Sequence, residues 1–234
     1  CQLQHLDYSV QLEAKRRTVT DALARIGGFA DVPVHATLGA AEPWRYRNKM
    51  QAPVGLAGGK PVTGCFAPGT HHIVPVDDCL IQHAGNNAVA REVRAVLGTL
   101  GIEPYDESSG HGVIRHVLGR VGTATGEVMA VLVTATDDLP HRDEAVRLLA
   151  ARILGIVSIV QNVNSRRTNV ILGDRIRTLW GRDTITDRMG GFTFRISALS
   201  FFQVNTAQAE VLYEKAVEYA GLTGRETVID VYCG

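Results

Sequence analysis

The chain has 234 residues and 24 Lys+Arg against 24 Asp+Glu, so its net formal charge is zero and bulk charge does not mark it as a nucleic-acid binder. Hydrophobic residues make up 45% and charged residues 21%, no apolar run is long enough to span a bilayer, and the first residues show no signal-peptide pattern. A membrane-spanning helix is excluded on this reading, and the expectation is a soluble, cytoplasmic, monomeric protein with one large domain or two small ones.

The four cysteines, Cys1, Cys65, Cys79 and Cys233, form no CxxC pair and do not read as a secreted disulfide framework. His5, His71 and His72 show no metal-ligand spacing. Apolar residues from Tyr8 to Ile26 recur at helical spacing and stop at Gly27-Gly28, and residues 29–43 read as a loop. Trp44 to Val54 alternates as a strand, Gly58-Gly59-Lys60 turns the chain into a second strand over Val62 to Phe66, and His71 to Val76 reads as a third. Asn86 to Leu100 returns to helical spacing.

GVIRHVLGRVG and GEVMAVLVTA then pair as antiparallel strands around a turn near Gly122 to Gly126. A helix over Arg142 to Ile153 follows, with strands at Val157 to Val163, Arg175 to Trp180 and Phe192 to Ile196. This order gives an α+β block, an antiparallel sheet with helices. Thr206 to Ala220 places Ala209, Leu212, Tyr213, Ala216, Val217 and Ala220 on one helical face, with Asn205 or Thr206 as cap. Thr227 to Tyr232 is a mostly β-branched run, expected as a strand covered on both faces. Asp230 within it would need a donor or ligand, and the glycine after it lets backbone approach a cofactor.

Arginine dominates the basic residues and clusters locally, for example at Arg45-Arg47-Lys49, Arg115-Arg120 and Arg166-Arg167. Each cluster taken singly reads as solvated charge. The guanidinium fork nevertheless suits phosphates and base edges, so a local basic face is compatible with zero net charge.

SFFQVN, a helix containing QAEVLY, and then IDVYCG together resemble the S-adenosylmethionine-dependent uracil-5 RNA methyltransferases. The resemblance extends over nearly the whole chain, through RYRNKMQAPV, the HHIV segment and IVQNVNSRRTNVILG. It implies that Gln203 and Tyr232 touch S-adenosyl-L-methionine. The ribosomal RNA members carry a cysteine motif ending in a stretch that CQLQH resembles, and GCFAPGTHHIVPVDDC places Cys79 at a further ligand position. The resemblance thus implies a [4Fe–4S] cluster in the full-length protein, with Cys1 and Cys79 as two of its four thiolates. Cys65 departs from the family pattern and is not counted as a ligand.

By the same resemblance, residues 1–77 hold the cluster-motif tail, a helix and a hairpin that dock on the methyltransferase part. Residues 78–198 form the central α+β domain that bears the cluster and contacts RNA, and residues 199–234 open an α/β Rossmann-like methyltransferase domain. A chain starting on Cys1 and stopping at Gly234 reads as cut at both ends. The nucleophilic cysteine and general base are expected beyond Gly234, so this piece alone is expected to be inactive and its cluster absent or incomplete.

The expected partner is a single-stranded or loop uridine of 23S ribosomal RNA, with neither DNA nor membrane involved. Arg45, Arg47, Lys49, Arg115, His116, Arg166 and Arg167 are the expected RNA contacts. The alternatives are the transfer-RNA enzyme, which lacks the cluster, and a non-catalytic RNA-binding or iron–sulfur module.

Overall fold

The computed structural model describes residues 2–231, so the readings placed on Cys1, Tyr232 and Cys233 lie outside the described residues. The chain divides into two compact units, Cys1–Pro43 and Trp44–Gly234.

In the first unit, helix α1 (Tyr8–Asp21) continues into a π turn at Ala22–Ile26, closed by the Gly27 N–H donating to the Ala22 carbonyl at 3.0 Å. The expected helical stretch is present, with a change of winding near its end. Two hydrogen bonds fasten the returning segment to α1. The Thr37 hydroxyl donates to the Leu12 carbonyl (3.0 Å), and the Ala40 N–H donates to the Tyr8 hydroxyl (2.7 Å).

The second unit is built on a seven-stranded sheet. Its strands are β1 (Lys49–Ala57), β2 (Lys60–Phe66), β3 (Ile73–Pro75), β4 (Ile114–Val121), β5 (Val128–Thr134), β6 (Ile156–Val163) and β7 (Arg175–Gly181), in the order β3-β2-β1-β4-β5-β6-β7. The sheet runs continuously across position 77. Helix α2 (Ala84–Leu100) precedes β4, and α3 (Arg142–Arg152) connects β5 to β6.

Because α3 returns the chain to the same end of the sheet, β5 and β6 are parallel. The sheet is therefore mixed, which corrects the expected antiparallel one. β8 (Thr184–Met189) and β9 (Phe192–Ser197) form a separate antiparallel pair, and helix α4 (Thr206–Ala220) follows. β8 is absent from the sequence reading because TITDRM carries one large aliphatic residue, Ile185, among four charged or polar ones.

The uninterrupted apolar run of β5 has a direct cause. Val128, Ala130 and Leu132 pack with α2 and α3, while Met129, Val131 and Val133 pack with Ile185, Ile196 and Phe202 on the other face. A strand covered on both sides has no polar phase to display. The same alternation puts Val117 and Val121 of β4 toward the helices and Leu118 toward β8 and β9.

The expected strand at Thr227 to Tyr232 is not formed in its described part. Residues 227–231 pair with no strand among the described residues, and Val228, Ile229 and Val231 are exposed, as is Asp230. A short β-branched run gains its extended form from neighbouring strands, and none flanks it here. The apolar face expected on α4 is likewise only partly covered. Ala209 is buried, whereas Leu212, Tyr213 and Val217 are exposed.

At Gly64 of β2, a Cβ would stand 1.9 Å from the Val74 carbonyl oxygen. Gly64→Ala should therefore push β3 away from β2. Amide exchange at Val76, whose N–H donates to the Thr63 carbonyl at 3.0 Å, should quicken by roughly tenfold or more. Unchanged exchange there would contradict this packing.

Candidate functional site

The segment carrying Gln203 is a strap, residues 198–205, held to the sheet by two side chains. Arg120 lies on β4 two residues from Leu118 and is 3% exposed. Its Nη2 donates to the Ala198 carbonyl at 3.2 Å and to the Ser200 carbonyl. Burial lowers its pKa to about 10, which leaves the guanidinium charged at neutral pH.

Asn48 is the second anchor. Its Nδ2 donates to the Gln203 carbonyl (2.9 Å) and the Thr206 hydroxyl (3.0 Å), and its backbone N–H donates to the Val204 carbonyl (2.9 Å). Its own carbonyl accepts from the Val121 N–H at 2.9 Å, so one residue ties the end of β4 to the start of α4. Asn205 caps α4 by accepting from the Gln208 N–H at 3.2 Å. The side chain of Gln203 is thereby left off the helix cap. Half-buried, it donates from Nε2 to the Tyr213 hydroxyl at 3.3 Å.

The seven basic and imidazole candidates separate by environment. Lys49, the register partner of Arg120, is half-buried, and desolvation together with the nearby Arg120 and Arg47 charges lowers its pKa. Arg47 accepts through its carbonyl from the His83 N–H (3.0 Å) and Asn86 Nδ2 (3.1 Å), which seats it beside Lys49. Arg45 has a positive φ of 57° and forks onto Asp78 at 2.6 and 2.7 Å, with a further bond to the Cys79 carbonyl at 3.0 Å. Its guanidinium is committed within the fold.

Arg115 is committed as well. At 6% exposure it donates to the Asn164 carbonyl (3.0 Å) and the Arg166 carbonyl (2.6 Å), and so fixes the loop that bears Arg166 and Arg167. His116 is buried, and its Nδ1 has no partner among the described residues. Burial, then the Arg115 charge, lowers its pKa from the ordinary 6.5 to about 4. Arg166 pairs with Asp174, and Arg166 and Arg167 are both exposed.

Cys79 is half-buried in a loop that Asn87 holds from both sides, accepting from the Cys79 N–H (3.3 Å) and donating to its carbonyl (3.1 Å). Cys65 is exposed. Among the described residues no group of three or more His, Cys, Asp or Glu side chains is placed to hold a metal. Of the two expected ligands only Cys79 lies among the described residues, and no chemistry is derived from a cluster.

No family model matches the chain. The chain is similar to RNA methyltransferases over its whole length. It is 49% identical over 234 residues to a protein of Halalkalibacterium halodurans named an uncharacterized RNA methyltransferase, covering 100% of this chain and 51% of that one. A Clostridium acetobutylicum protein of the same name is 46% identical over 236 residues, again with 100% and 51% covered. The chain thus spans about half the length of the curated relatives it matches. Among solved structures, the Pyrococcus abyssi tRNA (uracil-54, C5)-methyltransferase in complex with S-adenosyl-L-homocysteine aligns with a TM-score of 0.72 and 24% identity, covering 92% of this chain and 50% of that one. That likeness shows a shared fold.

Sequence reasoning missed both anchors of the strap. Arg120 was legible in principle, because in VLGRV it stands in phase with Leu118 on an apolar strand. Asn48 carried no such signal, since its role depends on residues more than 150 positions away.

The depressed pKa of His116 fixes the sign of a pH effect. Between pH 6.5 and about 4 the unfolded chain holds a proton that folded His116 does not, so stability is fully present above 6.5 and falls as pH drops through that window. The loss from this group should reach about 3 kcal/mol at most. Urea unfolding of the wild-type chain and of His116→Gln at both ends of the window checks this, and an equal pH slope in the two would contradict it.

Proposed function

We propose that this chain is part of an S-adenosyl-L-methionine-dependent RNA (uracil-5-)-methyltransferase that acts on 23S ribosomal RNA. The observation that carries the reading is the similarity, along all 234 residues, to proteins named RNA methyltransferases. The fold shared with a uracil-C5 enzyme supports that atom as the target. CQLQH and Cys79 favour ribosomal RNA, while the name of the structural neighbour favours transfer RNA, so the decisive assay reads both. In this reading residues 78–198, together with the β1–β3 part of the same sheet, form the RNA-contacting part and residues 199–234 open the methyltransferase part.

C5 of uracil is a weak nucleophile, and the family's solution is a thiolate that adds to C6, followed by a base that removes the C5 proton. No residue of this chain is assigned either role. S-adenosyl-L-methionine supplies the methyl group. The contribution of this chain is positioning. Asn48 and Arg120 set the strap so that the Gln203 amide, with Tyr232, meets the methyl donor. Arg47, Lys49, Arg166 and Arg167 contact phosphates of an RNA strand whose target base has left its stack.

Full-length protein incubated with tritium-labelled methyl donor should place label on C5 of a uridine in 23S ribosomal RNA. Label confined to transfer RNA would overturn the ribosomal assignment, and label in neither would overturn the reading. Gln203→Ala should raise the KM for the methyl donor by up to about tenfold, the effect of one lost hydrogen bond.

A further inference from the structure

A cavity of about 820 Å³ lies beside the sheet in the second unit, lined by β1, β2, β3, residues 104–108, Arg115 and His116. No residue of the strap lines it. Its walls are rich in rings. Phe66 stacks on His71 with centroids 5.4 Å apart and planes 28° from parallel, and it meets His116 edge-on at 6.4 Å. Tyr105 carries the Arg115 guanidinium over its face at 5.3 Å. Phe66 is 40% exposed, so a large apolar ring is left partly in water at the cavity.

The polar groups narrow the choice of ligand. Glu107 accepts from Arg115 at 3.4 Å and lies 2.6 Å from His71 Nδ1, and Asp106 joins it in the lining. Two carboxylates disfavour a phosphate, and the Arg115 guanidinium already donates to two carbonyls as well as to Glu107. An aliphatic ligand would offer no donor to Glu107 or Asp106 in the lining. A flat heteroaromatic ring avoids both difficulties. Its face stacks on Phe66, and its edge offers an N–H donor to the Glu107 carboxylate.

The sheet also supplies a route. Lys49, Gln51 and Pro53 of β1 are the register partners of Arg120, Leu118 and His116, and by strand alternation they share one face. Roughly 13 Å of strand, at about 3.3 Å per residue, therefore separates Lys49 beside the strap from Pro53 in the cavity wall. A single RNA strand passing Lys49 has a direct path to the cavity.

We propose that this cavity takes an unstacked RNA base, a second base-binding site apart from the one where the methyl group is transferred. The proposal rests on the RNA reading given above and deepens it.

The test measures binding of short single-stranded oligouridylate to full-length protein by fluorescence anisotropy, over a series of salt concentrations. Phe66→Ala should weaken binding roughly tenfold, as expected for one lost base–aromatic stack, while leaving the salt slope unchanged because no phosphate contact is lost. Phe66→Tyr, which keeps the ring, should bind as the wild type does. Phe192→Ala, an exposed ring on β9 outside the cavity lining, should also bind normally. Duplexing the oligouridylate with oligoadenylate should abolish the Phe66 effect.

Oligouridylate binding that is indifferent to Phe66→Ala would overturn the proposal, and so would no binding by a protein that still methylates ribosomal RNA. Phe66-dependent binding without any methyl transfer would instead overturn the enzymatic reading and leave the cavity assignment standing.

Discussion

The buried guanidinium of Arg120, hydrogen-bonded to two strap carbonyls, is the constraint on which the arrangement of the candidate site depends. Taking a charge out of water is costly, and the burial that lowers its pKa to about 10 is the trace of that cost. The cost is tolerated because the carbonyls of Ala198 and Ser200 would themselves be poorly satisfied against the apolar sheet. Asn48 completes the fastening from just before β1, where its amide and backbone meet Gln203, Val204 and Thr206. Between these anchors the main chain around Gln203 is fixed while its side-chain amide remains half-buried.

That fastening is possible only on a sheet packed on both faces. α2 and α3 cover one face, and β8, β9 and the strap cover part of the other. Beyond Leu118 along β4, outside the part covered by β8, β9 and the strap, the buried His116 and Pro53 line the large cavity. The strap and the cavity are thus neighbouring uses of one sheet face. Arg115 contributes from the same strand by pinning the loop at 164–167, which sets Arg166 and Arg167 at the surface.

Much of the architecture was legible because periodicity reports burial. α4 spans Thr206–Ala220 as its spacing predicts, and the alternating and continuous apolar runs mark β4, β5 and β6. What escaped depends on long-range partners. The parallel pairing of β6 follows from the path of α3, and residues 227–231 stay out of any sheet among the described residues because no strand flanks them. The arginines illustrate the same limit. Composition presents Arg45, Arg115 and Arg120 as surface charge, yet each is committed to carbonyls or a carboxylate of the fold, and only the folded chain separates them from Arg167 and from Arg166, which is exposed although paired with Asp174.

The central claim is that the sheet, through Arg120, positions the strap for the methyl donor. Calorimetric titration of full-length protein with S-adenosyl-L-homocysteine, comparing wild type with Arg120→Met, tests it most directly. Methionine fills similar volume without the donors, so the account predicts weaker binding by roughly tenfold, the effect of lost buried hydrogen bonds, in a protein that still unfolds cooperatively. Equal affinity in the two proteins would contradict it.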